Sequence, residues 1–405
     1  MDIKFATTII FWLTIAALVY TYVGYPLLVF VVANVRPRRH RTRAFEPSVS
    51  FIITAYNEER DLAAKLENTL ALDYPKELLE IIVASDASSD RTDEIVQQFA
   101  SRGVKLYRQP QRLGKTTAQN SAVERAHGEI LVFSDATTMY QPNVLRAMIP
   151  NFADATVGCV AGRLIYVDPT ESSVGRGAVS YWNYEVFLRR QESRACSLIG
   201  ASGCMYAVRK SAYLPLYPEA HGDFLIATKM IQQGLRTVFE PDAICIEETN
   251  RRVDNELRMR VRVITQTIND LWQHRAMLNP FRSGFFAIQL FSHKVMRYLV
   301  PFFLMIALTA SGVLAIGSLI YRLIFAAQLI CYGCAVLGLM LERGGLRSRL
   351  LTFPQYFVLT NVAAVIALYK LARGERYARW EPIREPAKTN RTSDSERSEG
   401  VAIAS

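Results

Sequence analysis

Apolar positions follow two different patterns along this chain. Residues 5–35, 298–321, 323–341 and 350–369 contain no charged residue. Each is close to the ~20 residues a helix needs to cross a hydrocarbon layer. Between the first and second of these, residues 47–297, apolar positions come in short bursts. Residues 47–54 (PSVSFIIT), 79–84 (LEIIVA), 104–107 (VKLY) and 130–133 (ILVF) have strand length and stop at small polar or acidic residues. Near-continuous apolar runs of that length predict buried strands of a parallel sheet. The intervening segments repeat every three or four residues, as at Leu62, Leu66, Thr69 and Leu70, and again at Ile95, Val96 and Phe99. That period predicts helices, with Asp90 placed to cap the second. Alternating strand and helix predict a parallel sheet covered on both faces. Residues 235–240 and 243–247 predict closing strands, with Pro241-Asp242 as the turn.

The predicted organisation is a first span with its flanking segment (1–46), an α/β domain (47–280), an interfacial helix (281–297), further spans (298–372) and a basic, polar tail (373–405). In the interfacial segment, His293-Lys294 reads as a contact to lipid headgroups.

Charge sets the orientation. The first span is followed by Arg36-Pro37-Arg38-Arg39-His40-Arg41-Thr42-Arg43. Positive charge stays inside, so the α/β domain is expected on the cytoplasmic face of the cell (inner) membrane of a multi-pass protein. The net charge of +10 then has a membrane explanation. Much of it lies in this cluster, in Arg343, Arg347 and Arg349, and in the tail, where anionic lipids attract it. No aromatic-interleaved nucleic-acid module accompanies it, which excludes nucleic acid as a partner. Four full spans would leave the basic tail outside, so either one late segment is re-entrant or the tail departs from the rule. The six cysteines form no CxxC pair in the α/β domain and no metal-finger spacing, as expected of a reducing compartment.

Candidate chemistry gathers where the predicted strands end. Thr54, Tyr56, Asn57 and Glu58 follow the first strand, Asp86 the second and Asp135 the fourth, and Lys115 opens the helix after the third. Open α/β sheets bind ligands beyond the carboxyl ends of their strands. Acids and a lysine at one edge suit a nucleoside diphosphate: a carboxylate for base or ribose, the lysine for phosphates, a further carboxylate for Mg2+ or Mn2+. Asp135 also reads simply as a turn residue. No GxGxxG follows the first strand, and Gly114-Lys115-Thr116 lacks the upstream glycine of a P-loop. Residues 197–208 (SLIGASGCMYAV) are small enough for the backbone to approach a sugar, while His221 reads as polar surface.

The run PSVSFIITAYNEERDLAAKLENTLALDYPKELLEIIVASDASSDRT, then GKTTAQN, then GEILVFSDATT, resembles the family 2 glycosyltransferases, inverting enzymes of the GT-A type. The span arrangement is similar to that of bacterial cellulose, hyaluronan and poly-N-acetylglucosamine synthases. The resemblance implies an α/β, Rossmann-like GT-A domain in the cytoplasm, flanked by transmembrane helices. It implies that Thr54, Tyr56, Glu58, Asp86, Lys115 and Asp135 bind the nucleotide, and that Asp135 is the first acid of the metal-binding DxD. It makes Asp223 the general base and Arg262 the arginine of QxxRW, serving diphosphate or acceptor.

Four positions depart from the family pattern. Thr137 replaces the second acid of DxD, Gly222 the acid before the base, and Met259 and Val263 the glutamine and tryptophan of QxxRW. Trp272 either substitutes for that tryptophan or anchors at the interface. The expected function is inverting transfer from a nucleotide sugar, UDP-linked by expectation, to a glycan or lipid-linked acceptor in cell-surface glycan synthesis, among membrane lipids. Polymer synthesis through so few spans would call for an oligomer or a channel partner. The alternative is an inactive nucleotide-binding subunit that scaffolds a glycan-export complex.

Overall fold

The computed structural model describes residues 3–168, 172–344, 346 and 348–377. Arg347 and the tail beyond 377 lie outside the described residues. The centre of the α/β domain is one eight-stranded sheet of order β3-β2-β1-β4-β7-β6-β8-β5. Strands β1 (Val49–Ala55), β2 (Leu79–Ser85), β3 (Val104–Arg108) and β4 (Ile130–Asp135) are parallel, as their apolar runs predict. Both faces of β1, β2 and β4 are buried, whereas the edge strand β3 leaves Lys105 and Arg108 exposed. Phe51, Ile53, Val83 and Val132 pack with Leu62, Leu66 and Val96 on one face. Ile52, Ile82, Leu131 and Phe133 pack with Ala118 and Ala122 on the other. Alternate side chains point to opposite faces, so covering both sides demands apolar residues at every position.

The second half of the sheet corrects the expectation of a purely parallel one. After β5 (Met139–Tyr140) and β6 (Val157–Val167), β7 (Met205–Arg209) inserts between β4 and β6, antiparallel to both. It starts beside the end of β4, with Met205 opposite Ser134. This direction brings the preceding loop, residues 199–204, to the edge where β1, β2 and β4 end. The two predicted closing strands are one strand, β8 (Arg236–Glu248). Its pairing with β6 jumps from Gly162–Glu240 to Arg163–Ile244, so Pro241 and Asp242 sit in a bulge rather than a turn. A bulge tolerates the proline because no ladder N–H is needed there.

Among the described residues four helices are long and apolar enough to cross a membrane: Ile3–Val35, Phe285–Leu314, Leu319–Arg343 and Thr352–Ala372. The first two contain π-helical turns, Tyr20–Gly24 and Phe291–Val295. The expected interfacial helix over 281–297 does not form as one unit. A short helix, Pro280–Ser283, ends at Gly284 (φ 56), and from Phe285 the chain runs unbroken to Leu314. Phe286 and Leu290 are buried against Cys196, Ile199 and Phe224, so this segment packs on the α/β domain instead of lying along a surface. Val261 and Ile264 of the helix Val253–Gln273 likewise pack on Ala363, Ala364 and Ala367 of the last apolar helix.

Candidate active site

Strand register sets the floor of the site. Thr54 pairs with Asp135, and Ala55 with Ser85, so β1, β2 and β4 end at one level. The loops beyond are laced together by short polar side chains. Asn57 (φ 53) donates its backbone N–H to Ser88 Oγ at 3.0 Å and accepts from the Ser89 N–H at 2.7 Å. The Glu58 N–H donates to Thr92 Oγ1 at 2.7 Å. Asp90 lies one residue before the cap position and still accepts from the Thr92 N–H at 3.0 Å.

Asp86 is buried and accepts two backbone N–H groups, from Leu113 at 2.8 Å and Gly114 at 2.9 Å. Both can point at one carboxylate because Gly114 adopts φ 97, a conformation that side-chain-bearing residues avoid. The turn aims Lys115 inward, and its ammonium pairs with Asp135. Burial alone would lower the Lys115 pKa, but Asp135 outweighs it and the net shift is upward. Beneath this loop Lys65 is completely buried, donating to the Thr138 carbonyl at 2.6 Å with its ammonium 3.7 Å from the Tyr140 ring centre. Burial depresses the Lys65 pKa to about 7, despite the opposing charge of Asp135.

Glu58, Lys115, Asp135, Asp223 and Arg262 all line one cavity of about 1060 Å³. Thr54, Tyr56 and Asp86 stand outside its lining. Thr54 is buried, its hydroxyl without a hydrogen-bond partner among the described residues. The Tyr56 ring lies under the Arg112 guanidinium at 3.9 Å. Asp86 is committed to the turn that carries Lys115.

Asp223 opens the helix Gly222–Gln232 and reaches the cavity from the far side. His221 holds it, Nε2 to Oδ1 at 2.8 Å. His221 is held in turn by Thr267 Oγ1 at 2.9 Å from Nδ1 and by Asp270, which accepts its backbone N–H at 3.0 Å. The histidine read as polar surface is therefore a half-buried clamp. Burial would raise the Asp223 pKa, but His221, with Lys115 and Arg189 behind it, holds the carboxyl well below the usual range. Gly203 allows the close approach: a Cβ there would lie 3.2 Å from Asp223 Oδ2 and 3.7 Å from Lys115 Nζ.

Several lining residues escaped the sequence reading. Glu247, near the end of β8, has Oε1 3.5 Å from Thr137 Oγ1. Burial, then the charge of Asp135, pushes its pKa up to about 7. The only sequence signal was an acid at the end of an apolar strand. Trp182, Glu185 and Arg189 belong to the helix Ser173–Ala195 and carried no motif. His293 and Lys294 also line the cavity, which corrects the headgroup expectation. His293 is buried between Glu192, 2.6 Å from Nδ1, and Glu185, 3.1 Å from Nε2. Trp272 is 70% exposed and outside the cavity, so it does not replace the missing tryptophan there.

Among the described residues no group of three or more His, Cys, Asp or Glu is arranged to hold a metal. Asp135, Glu247 and the Thr137 hydroxyl still form an all-oxygen set, the donor type that Mg2+ and Mn2+ prefer. Mg2+ commonly takes one or two carboxylates and completes its shell with phosphates and water. The residues fit such an ion.

Residues 50–214, from β1 past β7, match the family described as Glycosyl transferase family 2. This stretch is a family 2 glycosyltransferase domain. Its fold is GT-A, shared with a solved mannosyltransferase from Pyrobaculum calidifontis in complex with GDP-Man and Mn2+. That likeness has a TM-score of 0.71 at 23% identity and covers 90% of this chain and 99% of the other. The chain is also 26% identical over 234 residues to a poly-beta-1,6-N-acetyl-D-glucosamine synthase of Staphylococcus aureus (strain COL), covering 56% of this chain and 52% of the relative. It is 27% identical over 196 residues to a beta-monoglucosyldiacylglycerol synthase of Trichormus variabilis, covering 47% and 42%. The chain spans about half the length of the curated relatives it matches. The glycosyltransferase domain thus has relatives named for making a polysaccharide and a glycolipid.

Proposed function

We propose that the chain is a membrane-embedded inverting glycosyltransferase that moves a sugar from a nucleotide-sugar donor to a glycan or lipid-linked acceptor. The observation that carries this reading is the single cavity joining Lys115 and Asp135 to Asp223, with Asp223 clamped by His221. The nucleoside diphosphate lies at the ends of β1, β2 and β4. Lys115 turns from Asp135 to the phosphates, and Arg262 approaches the same diphosphate. Asp135 and Glu247, with the Thr137 hydroxyl, would hold the divalent cation. When bound, Mg2+ or Mn2+ offsets the charge that develops on the leaving diphosphate.

Asp223 takes the proton of the acceptor hydroxyl as that oxygen attacks the anomeric carbon. Attack opposite the leaving group inverts the anomeric configuration. The His221 clamp fixes the carboxylate in the attacking line and keeps it ionised, ready to accept. Gly203 keeps the space between Asp223 and Lys115 free of a side chain.

The domain spanning 47–280 works at the cytoplasmic face, with the Arg36–Arg43 cluster on the inner leaflet and the apolar helices in the membrane. Polymer synthesis would bring in an oligomer or channel partner, whereas transfer to a lipid-linked acceptor needs neither. The test is release of nucleoside diphosphate by the detergent-purified chain across UDP- and GDP-sugars, with Mg2+, Mn2+ or EDTA. Turnover of one donor that EDTA abolishes is expected. Tight nucleotide binding without hydrolysis or transfer from any donor, with candidate acceptors supplied, would replace this reading with the inactive scaffold.

A further inference from the structure

The cavity does not end at Asp223. It continues to a second polar group where the helix Ser173–Ala195 meets the first two apolar helices, Ile3–Val35 and Phe285–Leu314. Two carboxylates lie there and both have partners, although Glu192 Oε2 is buried without one among the described residues. Glu185 pairs with Arg297 and His293, and Glu192 with His293 and the Tyr25 hydroxyl. Two cations in the cavity wall make no contact-distance ion pair among the described residues. Arg189 spends Nη2 on the Ala201 carbonyl at 3.1 Å, and its guanidinium lies 4.9 Å from the Trp182 ring centre. Its Nη1 is buried with no hydrogen-bond acceptor. Lys294 makes no hydrogen bond among the described residues; its ammonium lies 5.7 Å from the Phe224 ring centre, and its strongest charged neighbour is Glu185. Arg189 repels the ammonium, by less than Glu185 attracts it.

A buried donor without an acceptor is costly, and so is a half-buried ammonium that makes no hydrogen bond. An anion between them removes both penalties, and charge-assisted contacts from a guanidinium and an ammonium are the strong kind. Location narrows the class of anion. Lys294 sits in the π-helical turn Phe291–Val295 of an apolar helix, and such turns and intramembrane charges concentrate at functional sites. Arg189 lies near enough to Asp223 to help depress its pKa. A group bound by both cations would therefore lie between the base and the membrane helices.

We infer that Arg189 and Lys294 bind the phosphate or diphosphate of a lipid-linked acceptor, presenting its hydroxyl to Asp223. This inference rests on the glycosyltransferase reading and names the acceptor chemistry: an anionic lipid rather than a neutral one. Both cations act as binding residues for the acceptor, with no step in proton transfer.

The test measures binding to the full chain in detergent by native mass spectrometry and calorimetry. The probes are a long-chain isoprenoid phosphate, the matching isoprenoid alcohol, diacylglycerol, inorganic pyrophosphate and a nucleoside diphosphate with Mn2+. The lipid phosphate is expected to bind about tenfold more tightly than either neutral lipid, and Lys294→Gln and Arg189→Gln are each expected to lose about that factor. Lys294→Arg should restore it. Lys294→Gln should leave nucleoside diphosphate binding intact, which also reports that the variant is folded.

Equal binding of alcohol and phosphate overturns the inference, as does full lipid-phosphate binding by Lys294→Gln. Loss of nucleoside diphosphate binding in a Lys294→Gln variant whose melting temperature is unchanged would assign the cations to the donor and overturn it too. Pyrophosphate that binds at these cations as tightly as the lipid phosphate would mark a free-phosphate site instead. No nucleoside diphosphate binding by the unaltered protein overturns the glycosyltransferase reading beneath it, so the two failures are distinguishable.

Discussion

The two halves of the sheet meet at the seam between β4 and β7 and were built under different rules. On the first side, β1 to β4 are parallel and joined by helices, with most contacts between elements close in sequence. Its ligand residues stand at strand ends, where the pattern of apolar run followed by polar residues marks them. On the second side, β7 runs backwards, β8 bulges, and the long helices Ser173–Ala195 and Val253–Gln273 carry side chains into the cavity from residues far apart in sequence. The lesson is a division of labour. A phosphate-binding edge follows from the regular geometry of parallel strands, whereas an acceptor side is assembled from long-range contacts.

The sharpest way to break this comparison is to separate the two sides functionally. Asp223→Asn should reduce transfer on the order of 10³-fold, within the usual range for a general base, while nucleoside diphosphate binding stays near its original value. Transfer within tenfold of the unaltered protein would remove Asp223 as the base. Gly203→Ala acts at the seam itself. Its methyl, 3.2 Å from Asp223 Oδ2, forces a small displacement, and overpacking of this kind costs about 1–3 kcal/mol. Transfer is expected to fall by roughly tenfold or more, and the melting temperature by about 2–4 °C per kcal/mol of that cost.

Glu247→Gln tests whether the second side supplies what Thr137 leaves out of the first. Mn2+ affinity in the presence of nucleoside diphosphate, read by electron paramagnetic resonance, should weaken by about tenfold. Adding Thr137→Asp should recover it. No loss in Glu247→Gln would leave Asp135 as the sole carboxylate ligand.

The smallest effect concerns Lys65, which lies wholly on the first side. Its folded pKa, about 7, is below that of a free lysine, near 10.4. Between those values the unfolded chain holds a proton that the folded chain has released, so stability should rise with pH across that window. The slope is at most about 1.4 kcal/mol per pH unit. Melting curves from pH 7 to 9 should show it, and Lys65→Met should flatten it. A flat profile in the unaltered protein would mean that Lys65 keeps its proton through its contacts to Thr138 and Tyr140.

Much of the first side was legible before any coordinates. Asp135, Lys115 and Glu58 were chosen from strand ends and do line the cavity. Asp86 was chosen on the same grounds, but its carboxylate is turned to the Leu113 and Gly114 N–H groups, an arrangement that depends on the φ of Gly114. On the second side, Asp223 and Arg262 came only through family likeness, and His221 was misread because nothing in sequence brings Thr267 and Asp270 to it. Pro241 suggested a turn because a proline in a strand run usually ends it; the strand continued because the bulge absorbed the extra residues.

The sequence by itself determined the four apolar helices, the first four strands and their polar ends, because period and run length report directly which faces are buried. Tertiary structure alone decided that Glu247 stands beside Thr137, that His221 clamps Asp223, and that Arg189 and Lys294 share a cavity wall. The physical reason is that burial is periodic along a chain and so is written locally, while a charge acquires its role from the charges around it. Those neighbours are set by strand order and helix packing, across separations such as the 105 positions between Arg189 and Lys294.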